Sequence, residues 1–499
     1  MKLLLLLLSF VFFYSCSNME KKDKDVKEVS SIKSISTDVV NELITIKEVK
    51  ESKLRLKFKN TDVAKIDLKV RKFILEKNGL TILLAENHHL PIVGYYTFFK
   101  VGSRYESKGI TGATHFLEHM MFKGAKKYAA GKFDSIMEEN GGSSNAYTST
   151  DATVYHEAIP VAALEKIMDL ESDRMENLLL DEKSFERERA VVLEERKLRY
   201  ENSPSGKLFH SVMEIMYKGT PYGTPVIGEE KDLLSVQRDS MRKYFNKFYA
   251  PNNAILVIAG DIDVNKTLDL IKKYYGNIPP SANLQEDKRI LDNEDIYKFK
   301  GSNGLGEEVK INANSNTPIF SIVYRGEKLG SKRYYEMDIL SAILSAGASS
   351  YLVQKYVKGK KPILSSISLY NYSLAKNGLY LVTGELLNET TLENFKSIWH
   401  KDQKNFCKEG ITERAVQKAK NQYLVGLFSG LETNGGVADL IGESEFYYND
   451  YNYYLQELQE FNSIRLKDIM KVCEDIFVNN NNAQKKNYGF FSVWEKHPK

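Results

Sequence analysis

Two hydrophobic patterns alternate along the chain. Short runs of apolar and β-branched residues predict strands, whereas apolar residues that recur every three or four positions among charged ones predict helices. We expect strands at residues 80–84, 92–98, 254–260, 319–324 and 379–386. We expect helices around residue 117 and at residues 162–179, 186–200, 334–345 and 413–430. Helices and strands are therefore mixed throughout the chain.

A polar break divides this pattern in two. Pro279 and Pro280 open a stretch that lacks hydrophobic periodicity and continues to Asp295. Such a stretch between periodic segments predicts a linker. We therefore expect a first domain at residues 70–280, a linker at residues 281–300 and a second domain at residues 301–499.

The N-terminus has the pattern of a secretory leader. A short charged start precedes a largely apolar run from Leu3 to Phe13, which is too short to span a bilayer. Ser15-Cys16 follows and resembles the end of a bacterial lipobox, in which Cys16 would be the lipidated residue. We predict a lipoprotein signal peptide at residues 1–16, a polar tether at residues 17–69, and a lipid anchor in a bacterial cell envelope. An uncleaved anchor and a signal peptide cut elsewhere are the alternatives.

Composition excludes some classes of function. The apolar fraction of 42% and the charged fraction of 27% are those of a soluble globular protein. A net charge of +4, with Lys and Glu interspersed, gives no reason to expect nucleic acid as a partner. Cys407 and Cys473 are too few for a disulfide framework. We expect a buried thiol at each, with a single bridge between them as the alternative.

The strongest chemical signal is the sequence His115-Phe116-Leu117-Glu118-His119. On a helix, His115 and His119 lie four residues apart on one face and can hold one Zn²⁺ between them. Glu118 lies on nearly the same face and can reach a water on that metal. A helix that merely carries two histidines is the alternative. A chance match is uncommon, because the chain has only eight histidines.

A zinc site needs a third protein ligand and an open position for water. The best candidate segment is the charged run at residues 184–196, whose pattern is helical. Glu188 and Glu195 are two helical turns apart and share a face, so one can ligate the metal while the other supports it. Spacing alone does not choose between Glu194 and Glu195. A charged, solvated helix is the alternative.

A hairpin follows the histidine motif. Residues from Ser144 onward and the pair Val154-Tyr155 have the pattern of strands, with Ser149-Thr150-Asp151 at the turn. An exposed edge strand can accept an extended peptide as an added strand, through backbone hydrogen bonds that are indifferent to sequence. An ordinary covered strand is the alternative.

These motifs together resemble the pitrilysin/insulysin family of inverted-motif zinc metallopeptidases, and most closely its bacterial branch similar to mitochondrial processing peptidase. The resemblance covers about residues 70–499 and is strongest in the first half. Besides the histidine motif it is carried by Val101–Glu106, Thr111–Thr114, Gly141–Thr148, Pro221–Gly228, Tyr249–Ala254 and Val257–Asp261.

The resemblance implies an α+β fold of two homologous α/β-sandwich halves, each a mainly antiparallel sheet packed with helices. It implies one Zn²⁺ per chain, with Glu195 as the third ligand beside His115 and His119, and Glu188 as the supporting glutamate. It also implies that Glu118 activates the water. The peptide substrate is expected on the strand that contains Asn145, Ala146 and Tyr147.

The second half departs from the family pattern. It has no His-x-x-Glu-His and resembles a degenerate repeat of the first half. Tyr351 stands where relatives have an arginine, and the stretch at residues 363–367, including Ser365, lacks the tyrosine that follows in relatives. In relatives this Arg/Tyr pair helps to bind substrate and can come from a separate subunit. We therefore expect a homodimer or a heterodimer in which a homologous subunit supplies the pair.

The expected function is that of a zinc-dependent endopeptidase acting on extended peptides or short unfolded polypeptides. A non-catalytic or partner-dependent subunit of a heteromeric peptidase complex is the alternative. The complete set of five site residues argues against a non-catalytic subunit. A structural surface lipoprotein with a vestigial motif is a third possibility, which the motif itself disfavours.

Overall fold

The computed structural model describes residues 44–55, 67–282, 284–301, 303–387, 391–479 and 488–493. Two β-sheets dominate it, and helices cover both. The predicted signal peptide, Cys16 and the first part of the predicted tether lie outside the described residues. Within the described ranges, no helix is both long and apolar enough to cross a bilayer.

The first sheet has seven strands in the order β1-β2-β3-β7-β4-β6-β5. All neighbouring pairs are antiparallel except β3 and β7. The central strand β7 is apolar and buried along its whole length, as expected for a strand covered on both faces. The strands are β1 Ile46–Arg55, β2 Asp67–Leu75, β3 Leu80–Glu86, β4 Ile92–Phe99, β5 Ser143–Thr148, β6 Thr153–Pro160 and β7 Ala254–Gly260.

Helices of the first half and of the connection that follows it are α1 Ala113–Met120, α2 Lys132–Glu139, α3 Leu164–Asn177, α4 Glu182–Arg196, α5 Pro204–Met216, α6 Glu230–Ser235, α7 Arg238–Phe248, α8 Val264–Tyr275 and α9 Leu284–Leu291. A π-helical turn, Lys197–Glu201, continues α4. Apolar side chains of α1, α3, α4, α7 and α8 form one core with the sheet. The edge strand β5 lies at one end of this core, beside α1.

The second sheet has five strands in the order β10-β11-β9-β12-β8, and all its neighbouring pairs are antiparallel except β12 and β8. The strands are β8 Glu308–Ile311, β9 Ile319–Arg325, β10 Leu364–Ser373, β11 Gly378–Leu386 and β12 Tyr488–Val493. The helices are α10 Lys332–Ser345, α11 Leu392–Glu409, α12 Glu413–Leu431, α13 Asn434–Tyr448, α14 Tyr453–Ser463 and α15 Leu466–Cys473.

Each half also packs a helix onto the sheet of the other. From the first half, α5 buries Leu208 and Val212 against Leu379 and Phe491 of the second sheet. In return, α13 lies on the outer face of the first sheet, where Gly442 lets Phe98 approach so closely that a Cβ would collide with its ring. Because both contacts are buried and apolar, separating the halves would expose two cores to water. The chain is therefore one interlocked unit.

The predicted strands and helices agree with the structure, and the two-half α+β fold is confirmed. The predicted tether at residues 17–69 is wrong in part, because residues 46–55 form β1 and extend the first sheet. The charged composition of this segment indicated a tether. On the edge strand, however, charged side chains pair with those of β2, as in the ion pair between Glu48 and Arg71. The predicted linker at residues 281–300 contains α9, whose Leu284 is buried in the first core.

Cys407 and Cys473 form a disulfide between α11 and α15, with their Cα atoms 5.7 Å apart. Our expectation of two buried thiols is therefore wrong, and the alternative of a single bridge is correct. The sequence alone could not decide, because the two cysteines lie 66 positions apart and nothing between them indicates that α11 and α15 pack together.

The bridge gives the first prediction. Replacing Cys407 and Cys473 together by Ser should lower the free energy of unfolding by roughly 2–4 kcal/mol, because the unfolded chain loses a long covalent loop. Denaturant unfolding of the chain from Ser17 onward measures this. Mass spectrometry after alkylation, with and without reduction, is the control. Full alkylation of both thiols in the unreduced protein would contradict the bridge.

Candidate metal centre

The helix α1 presents the two motif histidines, and its start is tightly defined. Gly112 precedes the helix with φ = 84°, a left-handed conformation that favours glycine. A Cβ on Gly112 would lie 2.4 Å from the carbonyl oxygen of Ile227, so no larger residue fits there. The partly buried carboxylate of Glu106 accepts hydrogen bonds from the backbone N–H groups of Gly112 and Thr114. The first turn of α1 is thus held in place from outside the helix.

The helix α4 lies beside α1 and brings a carboxylate to the histidines. Phe116 of α1 stacks on Phe185 of α4 with their ring centroids 4.7 Å apart. Glu195 Oε2 then lies 3.2 Å from His119 Nε2 and 3.7 Å from His115 Nε2. One potential ligand atom from each of the three residues lies within 4.8 Å of the others. The structure thus brings together the three predicted metal ligands.

The structure also distinguishes the two neighbouring glutamates. The side chain of Glu194 is 70% exposed and faces Lys197, whereas that of Glu195 is 22% exposed and faces the histidines. Arg199, on the π-helical turn, lies 2.6 Å from Oε1 of Glu195 and leaves Oε2 directed at the histidines. Only Glu195 of this pair is in a position to act as a ligand.

Charges at the site favour a bound cation. Burial lowers the pKa of His115 to about 3, so this imidazole is neutral and has a lone pair to offer. Burial acts in the same direction on His119, but the hydrogen bonds to Glu188 and Glu195 outweigh it and raise the pKa of His119 to about 9. Burial opposes the ionisation of Glu195, yet its hydrogen bond from His119 and nearby positive charges lower its pKa to about 2. The two carboxylates thus attract positive charge to the point between the rings.

Glu188 supports the site from behind. Its Oε2 lies 3.4 Å from Nδ1 of His119, and its Oε1 lies 3.0 Å from the ammonium group of Lys123. The side chain is buried, but hydrogen bonds from His119 and Lys123 nevertheless lower the pKa of Glu188. A carboxylate on Nδ1 fixes the tautomer of a histidine so that Nε2 is free to ligate a metal. Glu188 therefore has the position predicted for it.

Glu118 is hydrogen-bonded to the strand β5. Its Oε2 accepts a hydrogen bond from the hydroxyl of Thr148, at the end of β5. Burial raises the pKa of Glu118 above its ordinary value, and the hydrogen bond from Thr148 opposes this shift. A carboxylate with a raised pKa is better suited to accept and release a proton near neutral pH. No role for Thr148 was predicted from the sequence, although Thr148 lies on the predicted substrate strand directly after Tyr147.

The strand β5, which carries Asn145, Ala146 and Tyr147, forms the outer edge of the first sheet. Its inner neighbour is β6, with Ala146 opposite Tyr155. The backbone N–H of Ala146 donates to the side-chain Oδ1 of Asn145 at 2.9 Å. The N–H of Ala146 is therefore bonded to the adjacent side chain and not to another strand, so an added strand can reach it.

The donor set fits zinc. Two imidazole nitrogens and one carboxylate oxygen on two helices are ligands that zinc prefers in catalytic sites, where a fourth position remains for water. Among the described residues, no other set of three histidine, cysteine or acidic side chains has ligand atoms this close. His115, His119 and Glu195 would hold the ion.

The second half brings neither Tyr351 nor Ser365 into this set. The hydroxyl of Tyr351 donates to Oε2 of Glu409 at 2.9 Å, within its own half. Ser365, on the edge strand β10, contacts the carbonyl oxygen of Glu385. Both side chains thus serve their own half of the molecule.

Comparisons with known proteins identify the family and agree with the fold. Residues 81–230 match the insulinase family, peptidase family M16, and residues 235–423 match the peptidase M16 inactive domain. The zinc protease PqqE of Helicobacter pylori is 30% identical over 411 residues, covering 80% of this chain and 89% of that protein. The mitochondrial-processing peptidase subunit beta of Lentinula edodes is 29% identical over 379 residues, covering 73% and 78% respectively.

A solved structure gives the same result in three dimensions. The crystal structure of a protease from Helicobacter pylori superimposes with a TM-score of 0.75 at 26% sequence identity, covering 89% of this chain and 99% of that one. The sequence and the fold lead to the same conclusion: the chain belongs to the insulinase family of zinc proteases, peptidase family M16.

Proposed function

We propose that this chain is a zinc-dependent endopeptidase that hydrolyses extended peptides or short unfolded polypeptides. The observation that supports this most strongly is the juxtaposition of His115, His119 and Glu195 with Glu118 at the open edge of a sheet. A ligand set, a general base and a peptide-binding edge are the three parts that such a reaction requires.

The proposed mechanism assigns each residue one task. Zinc bound by His115, His119 and Glu195, one ion per chain, would polarise the scissile carbonyl and lower the pKa of a water. Glu118 would accept the proton of this water and pass it to the leaving amine. The hydroxyl of Thr148 occupies Oε2 of Glu118 and leaves Oε1 to perform this transfer. Glu188 would keep His119 in the ligating tautomer.

The substrate would bind as an added strand beside β5. Its backbone carbonyl would replace the side chain of Asn145 as the acceptor for the N–H of Ala146. Tyr147 is 39% exposed and would contact a substrate side chain on one face of the new strand. Recognition of the backbone would select for extended, unfolded segments more than for a particular sequence.

We further propose that the chain is anchored by a lipid on Cys16 in a bacterial cell envelope, on its periplasmic or outer-surface side. The leader pattern in the sequence supports this location. The disulfide between Cys407 and Cys473 also supports it, because such bridges persist in oxidising compartments and are rare in the cytosol.

The second candidate is a subunit that cleaves only with a homologous partner. Its support is the side chain of Tyr351, which stands at the expected arginine position and is engaged by Glu409 of the same half. A heterodimeric partner with its own Arg/Tyr pair would then complete the substrate site. The curated relative from Lentinula edodes is itself named as a subunit.

The general-base assignment gives the second prediction. Glu118→Gln should retain the zinc of the wild type but hydrolyse unstructured peptides about 10²–10⁴-fold more slowly, because the amide cannot accept the proton. Zinc is measured by elemental analysis and cleavage by mass spectrometry of a mixed peptide library. His119→Ala is the matched control and should lose both zinc and activity. Wild-type turnover by Glu118→Gln would refute the role of Glu118.

The same experiment separates the two candidate functions. If the purified wild-type chain binds zinc and cleaves peptides, it is self-sufficient. Zinc without cleavage, restored by a homologous subunit, would favour the partner-dependent candidate. Zinc without cleavage under either condition would contradict the proposed activity.

The edge strand gives the third prediction. Ala146→Pro removes the outward N–H of β5, whereas the hydrogen bonds that β5 makes to β6 come from its alternate residues. We expect kcat/KM for extended peptides to fall about tenfold or more, mainly through KM, because a substrate hydrogen bond is lost. Ala146→Ser keeps the N–H and is the matched control. Equal kinetics for both variants at equal zinc content would contradict strand addition at this edge.

A further inference from the structure

A buried ion pair that does not include the metal ligands lies where the β5–β6 turn meets three other segments of the chain. Nε of Arg104 lies 2.9 Å from Oδ1 of Asp151, and the two side chains are 7% and 2% exposed. Asp151 lies in the turn that connects β5 to β6. Arg104 belongs to a short 3₁₀ turn, Ser103–Tyr105, that precedes α1.

The first contact of the β5–β6 turn is with the 3₁₀ turn that precedes α1. The backbone N–H groups of Ser103 and Arg104 donate to the carbonyl oxygens of Ser149 and Thr150, each at 3.1 Å. Gly102 makes the approach possible, because a Cβ there would lie 2.5 Å from both of these oxygens. The hairpin turn and the segment before α1 are thus joined backbone to backbone.

The second contact is with the other half of the molecule. Oδ2 of Asp151 accepts from the backbone N–H of Ala375, in the turn that connects β10 and β11, at 3.3 Å. The hydroxyl of Tyr222 donates to Oδ1 of Asp151 at 3.0 Å and accepts from the N–H of Lys376 at 3.1 Å. Asp151 therefore ties the hairpin of the first sheet to a hairpin of the second.

The third contact is with the connection between the halves. Nη1 of Arg104 donates to the carbonyl oxygen of Leu291 at 2.9 Å and to the hydroxyl of Tyr297 at 2.7 Å. The carbonyl oxygen of Tyr297 accepts in turn from Nδ2 of Asn377 at 2.6 Å. Arg104 thus holds the connecting segment against the same turn of the second half.

The position of the turn matters for the metal centre because β5 ends in it. Thr148, the last residue of β5, donates to Glu118, and Ser149 follows directly. A displacement of the turn would therefore move the substrate strand and the donor to the proposed general base together. Loss of one partner of a buried ion pair is strongly destabilising locally, since the other charge remains buried.

We propose that the ion pair between Arg104 and Asp151 positions β5: through it, the second half holds β5 in place beside the metal centre. This inference rests on the proposed function in one respect only, namely that β5 receives the substrate. It assigns the second half, whose sequence has no His-x-x-Glu-His motif, a direct part in the geometry of the site.

A second buried ion pair provides a matched control. Lys72 of β2 and Glu445 of α13 also join the two halves, with side chains 13% and 1% exposed. They lie near the opposite end of the first sheet from β5, whose strand order runs from β1 and β2 to β6 and β5. If breaking any buried contact between the halves disturbed β5, a substitution in either ion pair would disturb it equally.

The fourth prediction compares Asp151→Asn with Glu445→Gln in the chain from Ser17 onward. Hydrogen exchange is followed by mass spectrometry, together with zinc content, melting temperature, kcat and KM for an extended peptide. Both variants should melt earlier and keep their zinc. Only Asp151→Asn should speed exchange at residues 143–148 and lower kcat/KM by roughly 10–100-fold, mainly through KM.

Tyr222→Phe is the milder variant in case Asp151→Asn does not fold. It keeps the ion pair and removes only the hydroxyl, with its hydrogen bonds to Asp151 and Lys376, so exchange at β5 should rise to a smaller extent. Unchanged exchange at residues 143–148 in a folded Asp151→Asn protein would overturn the proposal, as would an equal increase there in Glu445→Gln. Hydrogen exchange does not depend on turnover. If the wild-type protein had no peptidase activity, the proposed function would be refuted, but the exchange of the variants would still test the role of the ion pair.

Discussion

The packing of α1 against α4 is the constraint on which the site depends. Phe116 and Phe185 stack between the two helices, and Val192 is fully buried beneath them. This apolar contact fixes how the helices are rotated, and their rotation directs His115, His119 and Glu195 at one point. Bringing these polar groups together in a largely buried place removes them from water, which is unfavourable unless they are paired with one another or with a cation. The apolar packing therefore stabilises an arrangement that the polar groups alone would not maintain.

The most local features of the molecule could be predicted from the sequence. The helix of the histidine motif depends only on the spacing of residues within one turn, and the buried strand β7 is apolar throughout. Three features depend on residues distant in sequence and could not be predicted. The strand β1 has a charged sequence, the link from Thr148 to Glu118 crosses from a strand to a helix, and the bridge at Cys407 requires the packing of α11 on α15. The choice of Glu195 over Glu194 required the family resemblance, since the two residues differ only in the direction they face.

Because the halves interlock, residues of the second half help to stabilise the structure of the first half. Residues of α13 cover the outer face of the sheet that carries the proposed substrate strand, and the β10–β11 turn holds the β5–β6 turn through Asp151. A domain without a His-x-x-Glu-His motif can thus remain necessary, because it completes the core and fixes the edge of its neighbour. Tyr351 takes no part in this interlocking, because its hydroxyl donates to Glu409 within its own half.

The central claim is that one zinc ion binds between α1 and α4. Anomalous diffraction on either side of the zinc absorption edge, from crystals of the chain beginning at Ser17, tests it most directly. The account predicts one zinc peak per chain, within about 2.0–2.2 Å of a nitrogen of His115, a nitrogen of His119 and an oxygen of Glu195. A peak at other side chains, or no peak at these three after exposure to zinc, would contradict it.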